Sequence, residues 1–128
     1  MVLTTPTAIA AEEGQWIEKQ ALPTDRYNLG SVALNGEIYA IGGINSSNLY
    51  SSVEVYSPST GQWSQGASLP EARGGAGVVA SGGKIYVIGG RNESAVYDTV
   101  YIYDPPNGCM NRRRSNADNP LLSLDSCL

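Results

Sequence analysis

Apolar side chains in this chain gather into short β-prone runs punctuated by Gly, Asn and Pro. Ser31-Val32-Ala33-Leu34 and Glu37-Ile38-Tyr39-Ala40-Ile41 form one pair, separated by Asn35-Gly36. Val78-Val79-Ala80 and Lys84-Ile85-Tyr86-Val87-Ile88 form another, separated by Gly82-Gly83. Both dipeptides accept the positive φ that a type I′ turn requires at its two central positions, so each pair predicts a hairpin. A polar loop follows each hairpin, residues 44–52 and 91–99, and then a third run: Val53-Glu54-Val55-Tyr56 and Val100-Tyr101-Ile102-Tyr103. Pro58 to Gly61 turns the chain into a fourth strand around Trp63. No window keeps apolar residues at i, i+3, i+4 and i+7 through three turns, which argues against helices. The pattern predicts an all-β fold of four-stranded antiparallel meanders.

The second strand of each meander is apolar on both faces, Ile38 and Ala40 on one, Tyr39 and Ile41 on the other. A sheet with one wet face would alternate polar and apolar residues instead. These sheets are therefore expected to be covered on both sides. The two meanders are also copies at a spacing of 47 residues: Trp16 returns as Trp63, Arg26 as Arg73, Gly42-Gly43 as Gly89-Gly90, Tyr56 as Tyr103 and Pro58 as Pro105. A period between about 20 and 50 residues marks a repeat architecture, in which one supersecondary unit stacks on its copies. Glycine at the end of the second strand predicts a bend or a close backbone approach.

Gly83-Lys84-Ile85-Tyr86-Val87-Ile88-Gly89-Gly90 with Val100-Tyr101-Ile102-Tyr103-Asp104-Pro105 resembles a kelch repeat. Gly36 to Gly43, Val53 to Pro58 and Trp63 agree with it, and the resemblance spans about residues 14–108. It implies a kelch-type β-propeller used as a protein-binding platform. On this reading residues 1–13 are an N-terminal extension, 14–23 the end of a preceding blade, 24–67 the first repeat and 71–110 the second. The fourth strand of the second repeat is degenerate, with Met110 where the register asks for Trp, and 111–128 read as a divergent, disordered tail. Propellers close with typically about 4–8 blades. An incomplete propeller of about two blades would leave apolar rows such as Tyr39/Ile41 or Ile85/Val87 uncovered. The chain is thus expected to be part of a larger propeller or to complete one by self-association.

Net charge is −4, and Arg112-Arg113-Arg114 is the only basic run, so nucleic acid and anionic membrane are not expected partners. No apolar stretch reaches the roughly 20 residues of a membrane-spanning helix. The N-terminus lacks a signal-peptide pattern, which points to the cytoplasm, or to secretion if the natural start lies upstream of Met1. Cys109 and Cys127 make no disulfide framework, and without His they make a poor zinc site.

Arg26 and Arg73, expected at the start of the first strand of each blade, read as structural cations that tie blades together through carbonyls or a carboxylate. Tyr39, Tyr56, Tyr86, Tyr103, Trp16 and Trp63 read as inter-blade packing. The resemblance implies that the loop after each diglycine, and the segment after each Arg, project to one face and contact partner peptides. Carried onto this chain, the partner-binding positions are Tyr27, Asn28, Asn45, Tyr50, Arg91, Asn92 and Tyr97, suited to an acidic or polar peptide. Asn45-Ser46-Ser47 and Asn92-Glu93-Ser94 also match the glycosylation triplet. Kelch-like propellers include enzymes acting on sugars, a copper oxidase of the galactose-oxidase type and a sialic acid epimerase. The chain has no His to ligate copper or act as general base. No catalytic residue, metal or cofactor is therefore assigned. A binding module is the expectation, and a piece of such an enzyme the alternative.

Overall fold

The computed structural model describes residues 14–105 and the backbone of 109–113. The first meander consists of β1 (Gly30–Leu34), β2 (Glu37–Ile41), β3 (Val53–Ser57) and β4 (Gln62–Gln65). The second consists of β5 (Gly77–Ser81), β6 (Lys84–Ile88), β7 (Val100–Asp104) and β8 (Cys109–Arg113). Each is a four-stranded antiparallel sheet in chain order. The hairpin turns adopt the backbone their sequences require: Asn35 and Gly36 have φ of 54° and 79°, Gly82 and Gly83 have 60° and 79°. Two different dipeptides meet one steric demand. The fold is that of two kelch-type propeller blades.

Registers are identical in the two sheets. Tyr39 lies opposite Val55 and Ile41 opposite Val53, while Ile85 lies opposite Tyr103 and Val87 opposite Tyr101. Because side chains alternate with a period of two, these pairs form opposite faces of their blades. The Tyr39/Ile41/Val53/Val55 face of the first blade packs on the Ile85/Val87/Tyr101/Tyr103 face of the second, and Leu69 of the linker joins this core. The rings of Tyr39 and Tyr103 meet edge to face at 5.9 Å, a favourable aromatic geometry. The blades approach closest through β1 against β5 and β6, as inner strands do when blades radiate from an axis.

This arrangement corrects the expectation for the open rows. Tyr39/Ile41 and Ile85/Val87 are buried because they face each other. The more exposed rows are the reverse faces, marked by Ile38 at 41% and Ile88 at 46% exposure. The aromatic assignment also divides. Tyr39 and Tyr103 pack between blades, but Tyr56 and Trp63 stack across a strand pair within one blade at 5.1 Å. Tyr86 lies on the open face of the second blade, and Trp16 is fully exposed. Arg26 and Arg73 do not begin strands: each lies four residues before one, ahead of Asn28 (φ 57°) or Gly75 (φ 71°), whose left-handed backbone interrupts extension. β8 runs to Arg113, so 111–113 belong to a strand and not to a tail. Main-chain bonding to β7 sets that ladder, with Met110 opposite Tyr103, and needs no Trp. The extension 1–13 and residues 114–128 lie outside the described residues.

The diglycines are where the next segment crosses. A Cβ on Gly42 (φ 63°) would stand 2.6 Å from the Arg73 carbonyl oxygen, whereas one on Gly36 (φ 79°) would meet nothing within 4 Å. Gly36→Ala is expected to cost about 1–2 kcal/mol, the backbone penalty alone. Gly42→Ala is expected to cost clearly more, read as a larger drop in urea midpoint. Burial, then the neighbouring Tyr103 and Glu37, push the Tyr39 phenol up to about 12 from its ordinary value of 10.0. The folded state therefore keeps a proton that the unfolded chain releases. The stability linked to this group is present below pH 10.0 and is lost as pH climbs towards about 12. Tyr39→Phe is expected to flatten that part of the stability–pH curve in alkaline urea melts.

Candidate functional site

The loops after the diglycines are built on a relay that occurs once per blade. Arg26 donates from Nη1 to the Gly42 carbonyl at 2.8 Å, and Arg73 does the same to Gly89 at 2.7 Å. Each guanidinium lies over a tyrosine ring, Arg26 over Tyr50 at 4.6 Å and Arg73 over Tyr97 at 4.1 Å, a cation–π contact strengthened by burial. Each tyrosine hydroxyl in turn accepts from an asparagine, Asn45 Nδ2 at 2.6 Å and Asn92 Nδ2 at 2.8 Å. Asn45 Oδ1 accepts the backbone N–H groups of Ser47 and Asn48. Asn92 Oδ1 accepts those of Ser94 and Ala95. The loop tips are thereby closed by side-chain turns.

The guanidinium groups bond carbonyls and a carboxylate as expected, but within their own blades and not to a neighbour. The Arg73 side chain belongs to the second blade, while its main chain accepts from Gly43 N–H and donates to the Tyr50 carbonyl of the first. Each guanidinium also pairs with a carboxylate that accepts from a hydroxyl, in exchanged places, and Arg26 donates in addition to the Ser52 hydroxyl at 2.8 Å. Arg26 pairs with Glu54 of β3 at 3.3 Å, and the Thr24 hydroxyl donates to Glu54. Arg73 pairs with Glu71 of the linker at 3.1 Å, and the Tyr101 hydroxyl of β7 donates to Glu71. Positions 24 and 54 thus hold Thr and Glu where 71 and 101 hold Glu and Tyr.

Between the two loops lies an open cleft of about 290 Å³, lined by residues that include Asn28, Ile44, Leu49, Arg91 and Glu93. Of the sequence-assigned positions, Asn28, Asn45, Arg91 and Asn92 line it. Tyr27 is exposed outside it, with its backbone bridged to Ile44. Tyr50 and Tyr97 do not line it; they carry the loops from below. Asn45 and Asn92 have their amides committed to the relay, which also occupies the Nδ2 atoms that glycosylation would need. The sequence contained the signal for this, since all four residues recur at the 47-residue spacing that marks scaffold. Of the equivalent positions that line the cleft in both blades, Ile44 differs from Arg91 and Ser46 from Glu93, while Asn45 and Asn92 agree. Ile44, Leu49 and Glu93 were not among the assigned positions. Arg91 is exposed, and its side chain makes no ion pair or hydrogen bond among the described residues.

No group of three or more His, Cys, Asp or Glu among the described residues could hold a metal ion. Nor is any helix among them long and apolar enough to cross a membrane.

A model of the kelch motif matches residues 25–70 and 72–109, more than half of the chain and one blade each. No curated protein matches. Among solved structures, that of YjhT superposes with a TM-score of 0.70 at 18% identity, over 83% of this chain and 43% of the YjhT chain. At that identity the likeness is one of fold, and the chain spans less than half of YjhT's length.

The two ion pairs differ in burial: the Arg26 and Glu54 side chains are 0% and 2% exposed, whereas Glu71 is 48% exposed. Glu54→Gln strands a buried guanidinium and is expected to cost about 3 kcal/mol or more. Glu71→Gln is expected to cost less than about 1 kcal/mol. Chemical denaturation of the two variants side by side checks the contrast.

Proposed function

This chain belongs to the kelch-repeat family, and from that premise we propose that it is a protein-interaction module. Its loop face receives a carboxylate-bearing segment of a partner protein. The observation that carries this reading is Arg91, an exposed cation whose side chain has no ion pair or hydrogen bond among the described residues, in the lining of a cleft that includes Ile44 and Leu49. A volume of about 290 Å³ is at the lower end of small-molecule pockets, which run from roughly 300 to 1,000 Å³. It suits one or two side chains of a docked peptide. A guanidinium offers a carboxylate two parallel donors, and the apolar lining rewards the methylenes beside it. Tyr27, exposed and bridged through its backbone to Ile44 of the cleft, offers a further aromatic surface beside it.

The fixed parts of the relay support the same division of labour. Asn45, Tyr50, Asn92 and Tyr97 hold the loops, which leaves Ile44, Ser46, Arg91 and Glu93 free to differ between blades. The complete module is a propeller of more than these two blades, in keeping with the share of the YjhT chain that this one spans.

Fluorescence anisotropy with a labelled Asp/Glu-rich peptide pool and its Asn/Gln counterpart tests the reading. The acidic pool is expected to bind more tightly, and Arg91→Ala to weaken it about tenfold, the worth of one charge-assisted hydrogen bond. Equal binding of both pools, or an Arg91→Ala variant that binds as the parent does, would contradict it.

A further inference from the structure

The loop of the second blade brings two charges of opposite sign into the cleft. Arg91 and Glu93 both line it, and both are exposed. The equivalent positions of the first-blade loop are Ile44 and Ser46, and every other lining residue is uncharged. Arg91 and Glu93 do not neutralise each other. No ion pair or hydrogen bond joins them, and neither side chain bonds to any other described residue. Two residues of chain span at most about 7 Å, so the cleft carries a close pair of unlike, unpaired charges on one wall.

The loop does not need these charges to hold its shape. The main chain of Arg91 exchanges two hydrogen bonds with Gly74, both at 3.0 Å. Asn92, between the two charges, donates from its N–H to the Ala95 carbonyl at 2.9 Å, and its amide is tied to Ser94, Ala95 and Tyr97. The first blade builds the same turn around Asn45 with Ile44 and Ser46 in the flanking places. The charges are therefore additions to a frame that stands without them. Because that frame fixes the backbone on either side of Asn92, little ordering of the loop opposes binding.

We propose that Glu93 is a specificity-determining residue. Among the carboxylate-bearing segments that Arg91 receives, it selects those with a cation two residues from the carboxylate. In an extended segment, side chains at i and i+2 lie on one face, about 7 Å apart, which matches the reach of the Arg91 and Glu93 positions. The carboxylate meets Arg91 and the lysine or arginine meets Glu93. The methylene stem of that cation has Ile44 and Leu49 of the same cleft to cover. A wholly acidic segment instead sets its second carboxylate against Glu93, and such like-charge contacts act against wrong partners. This rests on the reading of Arg91 as the carboxylate site and adds a second determinant to it.

Fluorescence anisotropy of the full chain with four labelled peptides, alike except for one tripeptide, is the test. The tripeptides are Asp-Ala-Lys, Asp-Ala-Gln, Asp-Ala-Asp and Asn-Ala-Gln. Asp-Ala-Lys is expected to bind about threefold more tightly than Asp-Ala-Gln, within the range of an exposed ion pair, and Asp-Ala-Asp more weakly than Asp-Ala-Gln. Glu93→Gln should abolish both differences and leave Asp-Ala-Gln ahead of Asn-Ala-Gln. Glu93→Lys should reverse the order and put Asp-Ala-Asp first, an inversion that a merely structural Glu93 would not produce. A urea midpoint equal to the parent's is expected for both variants, since Glu93 makes no bond within the loop. Equal binding of Asp-Ala-Lys and Asp-Ala-Gln, or a lysine preference that persists in Glu93→Gln, overturns the proposal and leaves the Arg91 site standing. Equal binding of Asp-Ala-Gln and Asn-Ala-Gln removes the Arg91 site and this proposal with it, so the two failures read out separately.

Discussion

The structure depends on the contact between two unlike sheet faces. One carries Tyr39, Ile41, Val53 and Val55, the other Ile85, Val87, Tyr101 and Tyr103. Each fully buried side chain of this kind contributes roughly 1.5–3 kcal/mol, against a typical domain stability of about 5–15 kcal/mol. Neither blade holds such a core alone, because a single four-stranded meander has nothing to put against its apolar side. The contact is also directional: a blade offers its Tyr39-type face forwards and its Ile85-type face backwards. That polarity is a consequence of side-chain alternation and of one register kept in both repeats.

The linker and loops are organised around the two buried arginines. Placing a guanidinium in the interior is costly unless its donors are met; here carbonyl, carboxylate and tyrosine ring converge on the Nη end, while Nε of each arginine has no hydrogen-bond partner among the described residues. The same cation therefore closes the diglycine bend and supports the loop tyrosine, while the main chain of Arg73 joins the blades. A rigid frame of this sort lets the tips of the loops vary without loss of geometry. The cleft at Arg91 is a product of that freedom, set on a frame whose residues repeat.

Much of the fold was legible because local chemistry and long-range pattern agreed. Asn35-Gly36 and Gly82-Gly83 announced hairpins through the positive φ they tolerate; the doubly apolar β2 and β6 announced stacking, though among the described residues one face of each blade is covered and Ile38 and Ile88 on the reverse faces stay exposed. Which apolar row meets which was not legible, since strand alternation yields two faces but not the direction in which blades stack. The site was legible in place and less so in residue. Asn45, Tyr50, Asn92 and Tyr97 have the chemistry of partner contacts, but their recurrence at one spacing marks them as frame. The exchange of Thr24/Glu54 for Glu71/Tyr101 was hidden, because each position read singly looks unrelated to its copy. Only proximity to the arginine shows that a carboxylate and a hydroxyl were kept.

Aromatic nuclear Overhauser spectroscopy on the intact chain tests the face-to-face contact most directly. The structure predicts cross-peaks between the Tyr39 and Tyr103 rings, whose centroids lie 5.9 Å apart, and between Tyr39 or Ile41 and side chains of the Ile85/Val87 row. Their absence, or cross-peaks joining Tyr39 to the Tyr86/Ile88 row instead, would contradict the stacking on which the whole account stands.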